Sequence, residues 1–228
     1  MKMLFIKNCK LTFIVLSLLL TIVIIACKKD SNKIDQGGQK LECYEINGCK
    51  NVIYSLQLDS SENNNNYLDI NNKKVVSDKE HWDFKMSGIY TSNINANTSI
   101  KGRLNFIDIE FDKVTTDAVL EKFGDKGTFN SKFINLKDFG MHHFLGEEEG
   151  WANYDISTHI VKPLPDRTLL LITADPTNST KHKLLKIKIM SMYEGCILKP
   201  TIADKKKVPY LTSRFEALNI DIDNLITD

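Results

Sequence analysis

The strongest constraint on this chain is an unbroken apolar stretch followed, across a polar tip, by an alternating one. Residues 168–173 (TLLLIT) have no polar break between their two threonines. A run that short and that apolar reads as a strand buried on both faces. Residues 184–193 (LLKIKIMSMY) place Leu185, Ile187, Ile189 and Ser191 on one side, and Lys186, Lys188, Met190 and Met192 on the other. Period two is the repeat of a strand. The intervening PTNSTKHK reads as a polar hairpin tip, with His182 solvated in it.

The same period recurs from Cys43 onward. Val52, Tyr54, Leu56 and Leu58 share a face. Residues 67–70 (YLDI), the polar turn NNKK, and Val75-Val76 read as a hairpin. Residues 82–90 (WDFKMSGIY) begin as an alternating strand with Trp82, Phe84 and Met86 on one face; in residues 104–111 (LNFIDIEF), Ile107, Ile109 and Phe111 share a side. Residues 210–220 form an expected last strand, and Asn63 to Asn66 a loop tip. Only residues 115–123 (TTDAVLEKF) read as a helix, with Thr116 as N-cap and Val119, Leu120 and Phe123 at helical spacing. Many short strands with one or two short helices predict an all-β fold, an antiparallel sandwich or half-open barrel with long loops. Residues 91–103 and 124–150 are long connections for such a fold, and loops of that length are often functional.

The N-terminus carries an address. Behind Lys2, Lys7 and Lys10 runs an uncharged, mostly apolar stretch, residues 11–26 (LTFIVLSLLLTIVIIA), which ends at Cys27. A basic head and an apolar middle make a secretory signal. With a cysteine at the cleavage position it resembles a bacterial lipoprotein signal, which implies removal of residues 1–26 and lipidation of the Cys27 thiol. The alternative, a plain transmembrane anchor, needs about 20 apolar residues. This run is shorter, and Lys28-Lys29-Asp30 follows it directly. Residues 27–42 then read as the lipidated cysteine and a flexible tether containing Gly37-Gly38, and residues 43–228 as a single β domain.

The formal net charge is +1. Residues 1–27 contribute lysines and no acid, so the mature chain is slightly acidic. That balance offers no nucleic-acid footprint. Of the 5 cysteines, Cys43, Cys49 and Cys196 follow Cys27. In an oxidising compartment they allow one disulfide: Cys43–Cys49 is the local pairing, and Cys49–Cys196 would tie the two ends of the domain. No Cys-x-x-Cys pair favours a zinc ribbon or a thioredoxin-like site.

Among the 5 histidines, two segments invite a ligand. Met141-His142-His143 lies in the long 124–150 connection between Phe139 and Phe144, and His159 follows Trp151 and Tyr154. Imidazole and thioether ligate haem iron, and apolar or aromatic walls suit a flat porphyrin. His81 precedes a strand and reads as structural. Glu147-Glu148-Glu149, flanked by glycines, reads as a solvated tip, with acid–base hydrolysis as the alternative. Lys205-Lys206-Lys207 reads as a solvated turn, and no nucleophile-elbow, zincin or phosphate-cradling motif is present.

Residues 67–76 (YLDINNKKVV), followed by Trp82-Asp83-Phe84, resemble the opening block of the HmuY family of haem-binding bacterial lipoproteins. So do Gly150-Trp151, Tyr154, Thr158-His159 and Pro163, the apolar strand ending Thr173-Ala174-Asp175, and the strand ending in Tyr193. These blocks cover nearly the whole mature chain. The resemblance implies an all-β haemophore and not an enzyme. It would capture haem outside the cell and deliver it to a TonB-dependent outer-membrane receptor. Its place would be the outer membrane, lipid-anchored at Cys27 and facing the periplasm or the cell surface. The iron would be gripped by His159 and by one of Met141, His142 and His143. Two departures stand out. A tip from Pro176 to His182 replaces the family's glycine-based turn, and the family's ligands occupy no single motif. A module of the same fold that binds no haem and docks another ligand or protein partner is the alternative.

Overall fold

The computed structural model describes residues 51–61, 64–125, 128–129, 133–141, 150–207, 209–220 and 222. All belong to one compact unit, Glu42–Asp228. Residues 1–50, which include the expected signal, Cys27, the expected tether, Cys43 and Cys49, lie outside the described residues, as do His142, His143 and the acids at 147–149.

The fold is all-β and antiparallel, a sandwich without barrel closure among the described residues. Five strands form the main sheet in the order β1 (Val52–Gln57), β13 (Tyr210–Leu218), β12 (Asn178–Ser191), β11 (Thr168–Asp175) and β6 (Arg103–Ile107). A second sheet has the order β3 (Lys74–Val76), β2 (Asn66–Asp69), β4 (Phe84–Ser87), β5 (Asn93–Ala96). A separate hairpin pairs β9 (Ala152–Asp155) with β10 (Ile160–Pro163), and Gly124–Asp125 and Thr128–Phe129 (β7, β8) form a minimal ribbon.

The unbroken run in β11 is explained by two cores, one on each face of the main sheet. Leu169 and Leu171 point with Leu185, Ile187 and Ile189 toward the second sheet and the β9–β10 hairpin, meeting Leu68, Phe84, Met86, Ile94, Trp151 and Val161. Leu170, Ile172 and Leu184 point the other way and are covered by helix α1 (Thr116–Phe123) through Val119 and Phe123, and by Phe133. A strand in that position needs apolar residues at every position, and β11 is buried from Thr168 to Ala174. Its one polar inward contact joins the two sheets: buried Asp83 accepts from the Thr173 hydroxyl at 2.6 Å and from the Ile70 amide at 2.8 Å. A buried carboxylate is tolerable because those donors replace water.

Several local readings are corrected. The N-cap of α1 is Thr115, whose side chain accepts from the Ala118 amide at 3.2 Å. In β1 the alternation breaks at a bulge between Ile53 and Leu56, where Ser55 adopts φ 47°; Ile53 and Leu56 therefore reach the same core. A second bulge between Ile189 and Ser191 turns Met192 inward, off the lysine side. Lys186 on that side is only 5% exposed. Its Nζ donates to the carbonyls of Phe111 and Val114 at 3.1 and 3.2 Å, because the 3-10 turn Phe111–Lys113 lies over it. Asn66 is no loop tip: it is buried at the start of β2, and its side chain accepts from the Asp59 amide at 2.7 Å. Residues 91–103 contain β5, whose Ile94 and Ala96 enter the core. The β11–β12 tip is tight, with Asp175 opposite Asn178, so His182 sits within β12 opposite Ala174 and is half-buried. Cys196 is disulfide-bonded, to a partner outside the described residues, which sets aside any pairing that leaves it free.

Candidate functional site

The β9–β10 hairpin carries His159, and its base is clamped from several sides. Trp151, just before β9, donates its backbone amide to the Gly140 carbonyl at 3.0 Å and its indole Nε1 to the Ser92 carbonyl at 2.7 Å. Arg167 donates to the Gly150 carbonyl at 2.5 Å and to Asp108 at 2.7 Å, and its guanidinium lies over the Phe106 ring at 4.0 Å. Lys188 donates Nζ to the carbonyls of Leu164, Pro165 and Arg167, just beyond β10. Buried Tyr193 accepts from the Val161 amide at 2.9 Å, tying β10 to the end of β12. Burial pushes the Tyr193 phenol above its usual range, so it stays a neutral hydroxyl.

The tip is as well defined as the base. Asp155 accepts from the Ser157 hydroxyl at 2.6 Å, the Ser157 amide at 2.9 Å and the Thr158 amide at 3.2 Å. Those donors, led by the Ser157 hydroxyl, lower its carboxyl to about 2. His159 closes the turn at φ 56°, a conformation in which histidine is enriched several-fold among non-glycine residues. Lys73, Lys101 and Asp138 adopt similar angles, so the backbone alone singles out nothing.

The side-chain pairing does. The Tyr154 hydroxyl and His159 Nδ1 are hydrogen-bonded at 2.6 Å, with ring centroids 6.0 Å apart. Tyr154 is half-buried and packs against the sandwich core, whereas His159 is exposed. With Nδ1 engaged, Nε2 is the ring nitrogen not used in that bond. That is the arrangement in which a metal-bound imidazole is held, its second nitrogen hydrogen-bonded.

The other histidines differ. His182 Nε2 pairs with the Ile100 carbonyl at 3.1 Å, inside the fold. His81 Nε2 lies 3.5 Å from buried Asp83. Of the upstream candidates, Met141 is 8% exposed and packs in the sandwich core beside Phe139 and Trp151, so its thioether is committed to packing. His142 and His143 lie outside the described residues.

Among the described residues no group of three or more His, Cys, Asp or Glu side chains could hold a bare metal ion. Haem iron asks for less, because the porphyrin supplies most of its ligands. Among the same residues no helix is long and apolar enough to cross a membrane. From sequence Tyr154 reads only as an aromatic neighbour of His159, because β9 and β10 do not stand out there as strands. The period-two positions of Tyr154 and Val161, paired across the hairpin, were the available signal. Compared with known proteins, the chain matches no family model, no curated protein and no solved structure.

Proposed function

We propose that this chain is a haem-binding lipoprotein of the HmuY type. It is tethered to the outer membrane through Cys27, captures haem outside the cell and passes it to an outer-membrane receptor. His159 would supply one ligand to the haem iron and His142 or His143 the other, with Met141 disfavoured by its burial. The observation that carries the reading is the exposed His159 imidazole, hydrogen-bonded through Nδ1 and presented by a hairpin whose base and tip are both fixed. The order of sequence blocks shared with that family supports it, as does the lipoprotein-like N-terminus. Bound haem would supply the iron and the broad apolar face; the protein's part is to grip and release. A lipid tether raises the domain's effective concentration at a membrane receptor, so captured haem need not diffuse away before transfer.

Titrating the full chain in detergent with haemin tests this. A shifted Soret band that saturates at one equivalent is the expected outcome. A Soret region matching free haemin in the same detergent would refute it and leave a binding module of the same fold with another ligand.

A further inference from the structure

We infer that Tyr154 is a positioning residue for His159: its hydroxyl holds the imidazole with Nε2 outward whichever ring nitrogen carries the proton. This deepens, and rests on, the reading of His159 as an iron ligand.

The pair spans the turn of the hairpin. Tyr154 sits opposite Val161, Asp155 opposite Ile160, and His159 ends the turn between them. The Tyr154 ring is set by packing against the sandwich core, so its hydroxyl is a fixed point. The His159 backbone is set by the Asp155 bonds and its left-handed geometry. What remains free is rotation of the imidazole about its own side-chain bonds, and the 2.6 Å contact to Nδ1 arrests it. The ring planes are tilted by 48° at 6.0 Å, so the hydroxyl and not stacking makes the contact.

A hydroxyl suits this position for a chemical reason. A neutral imidazole free of metal can carry its proton on Nε2, and Nδ1 then accepts a hydrogen bond. An imidazole bound to iron through Nε2 carries its proton on Nδ1 and donates. A carboxylate could only accept and a backbone amide could only donate, whereas a phenol does both. Tyr154 therefore keeps the ring in one orientation through loading and release. With iron held at Nε2, the Tyr154 oxygen would accept from Nδ1–H and make the imidazole a stronger electron donor.

Tyr154→Phe removes the hydroxyl and keeps the ring. In the ligand-free full chain, the imidazole nitrogen resonances of His159 are expected to shift in this variant while those of His81 and His182 stay. With haemin, affinity is expected to fall by about tenfold or more, and the ferric–ferrous potential to rise. In a His159→Ala background, Tyr154→Phe is expected to add nothing, because it acts through the histidine. Unmoved His159 resonances would overturn the inference. So would an equal loss of affinity in the His159→Ala background, which would put Tyr154 on the ligand itself. A wild-type chain without a shifted Soret band refutes the haem reading instead, and the ligand-free spectrum then still decides whether Tyr154 orients His159.

Discussion

At the tip of β9–β10, Asp155 accepts from the Ser157 amide and hydroxyl; at the tip of β11–β12, Asp175 accepts from the Thr177 amide and hydroxyl at 2.8 and 2.6 Å. Each hairpin carries one histidine, His159 at the end of the first turn and His182 within β12. The surroundings then diverge. β11 and β12 lie in the middle of the main sheet, and His182 spends its Nε2 on the Ile100 carbonyl of a neighbouring turn. β9 and β10 stand apart as a two-stranded unit anchored at its base, and His159 is left exposed, with only its inner nitrogen engaged. Similar aspartate-led turns thus accompany a histidine bonded into the fold in the central hairpin and an exposed one in the separate hairpin.

Three experiments can break or sharpen that contrast. The largest effect belongs to the enclosed hairpin. Leu171 is fully buried in β11, and Leu171→Ala is expected to cost about 3 kcal/mol in denaturant unfolding. Ile156→Ala, at the exposed tip of β9–β10, is expected to change stability by less than about 0.5 kcal/mol. Comparable losses at both sites would mean that the projecting hairpin is as integral as the central one. Next come the histidines. His182→Ala forfeits the bond to Ile100 and is expected to cost about 1 kcal/mol, against less than about 0.5 kcal/mol for His159→Asn, which loses only an exposed bond to Tyr154 and keeps a residue type that tolerates φ 56°. The smallest effect is acid dependence of the β9–β10 turn. Because the Asp155 carboxyl titrates near 2 when folded, below its ordinary 3.8, its contribution is complete above pH 3.8 and is lost as pH falls through about 2. Amide protection at Ser157 and Thr158, with the intrinsic pH dependence of exchange divided out, is expected to hold level from pH 7 to pH 4 and to fall below pH 3. Protection lost already near pH 5 would show that the carboxyl is not held low.

The legible parts of the sequence were those that one period governs throughout. β11 could be read because its residues face two cores and none can be polar, and the inward side of β12 because Leu185, Ile187 and Ile189 alternate cleanly. Reading failed where one residue changes the count. The bulges at Ser55 and near Met190 shift faces by one position, and no local signal marks them, since neither contains glycine. The burial of Lys186 is illegible for another reason: whether a lysine is solvated depends on what covers it, and the covering Phe111–Lys113 turn is distant in sequence. His159 could be picked as a candidate from its neighbours. Its distinction from His182 could not, because both follow polar turns and differ only in which chain segment packs alongside.

That distinction is tested most directly by haemin titration of two variants of the full chain in detergent, His159→Ala and His182→Ala, against the wild type. His182→Ala is expected to retain the wild-type Soret position and one-equivalent saturation. His159→Ala is expected to lose the low-spin spectrum and bind at least about tenfold more weakly. Wild-type spectra and affinity in His159→Ala, or their loss in His182→Ala alone, would contradict the assignment.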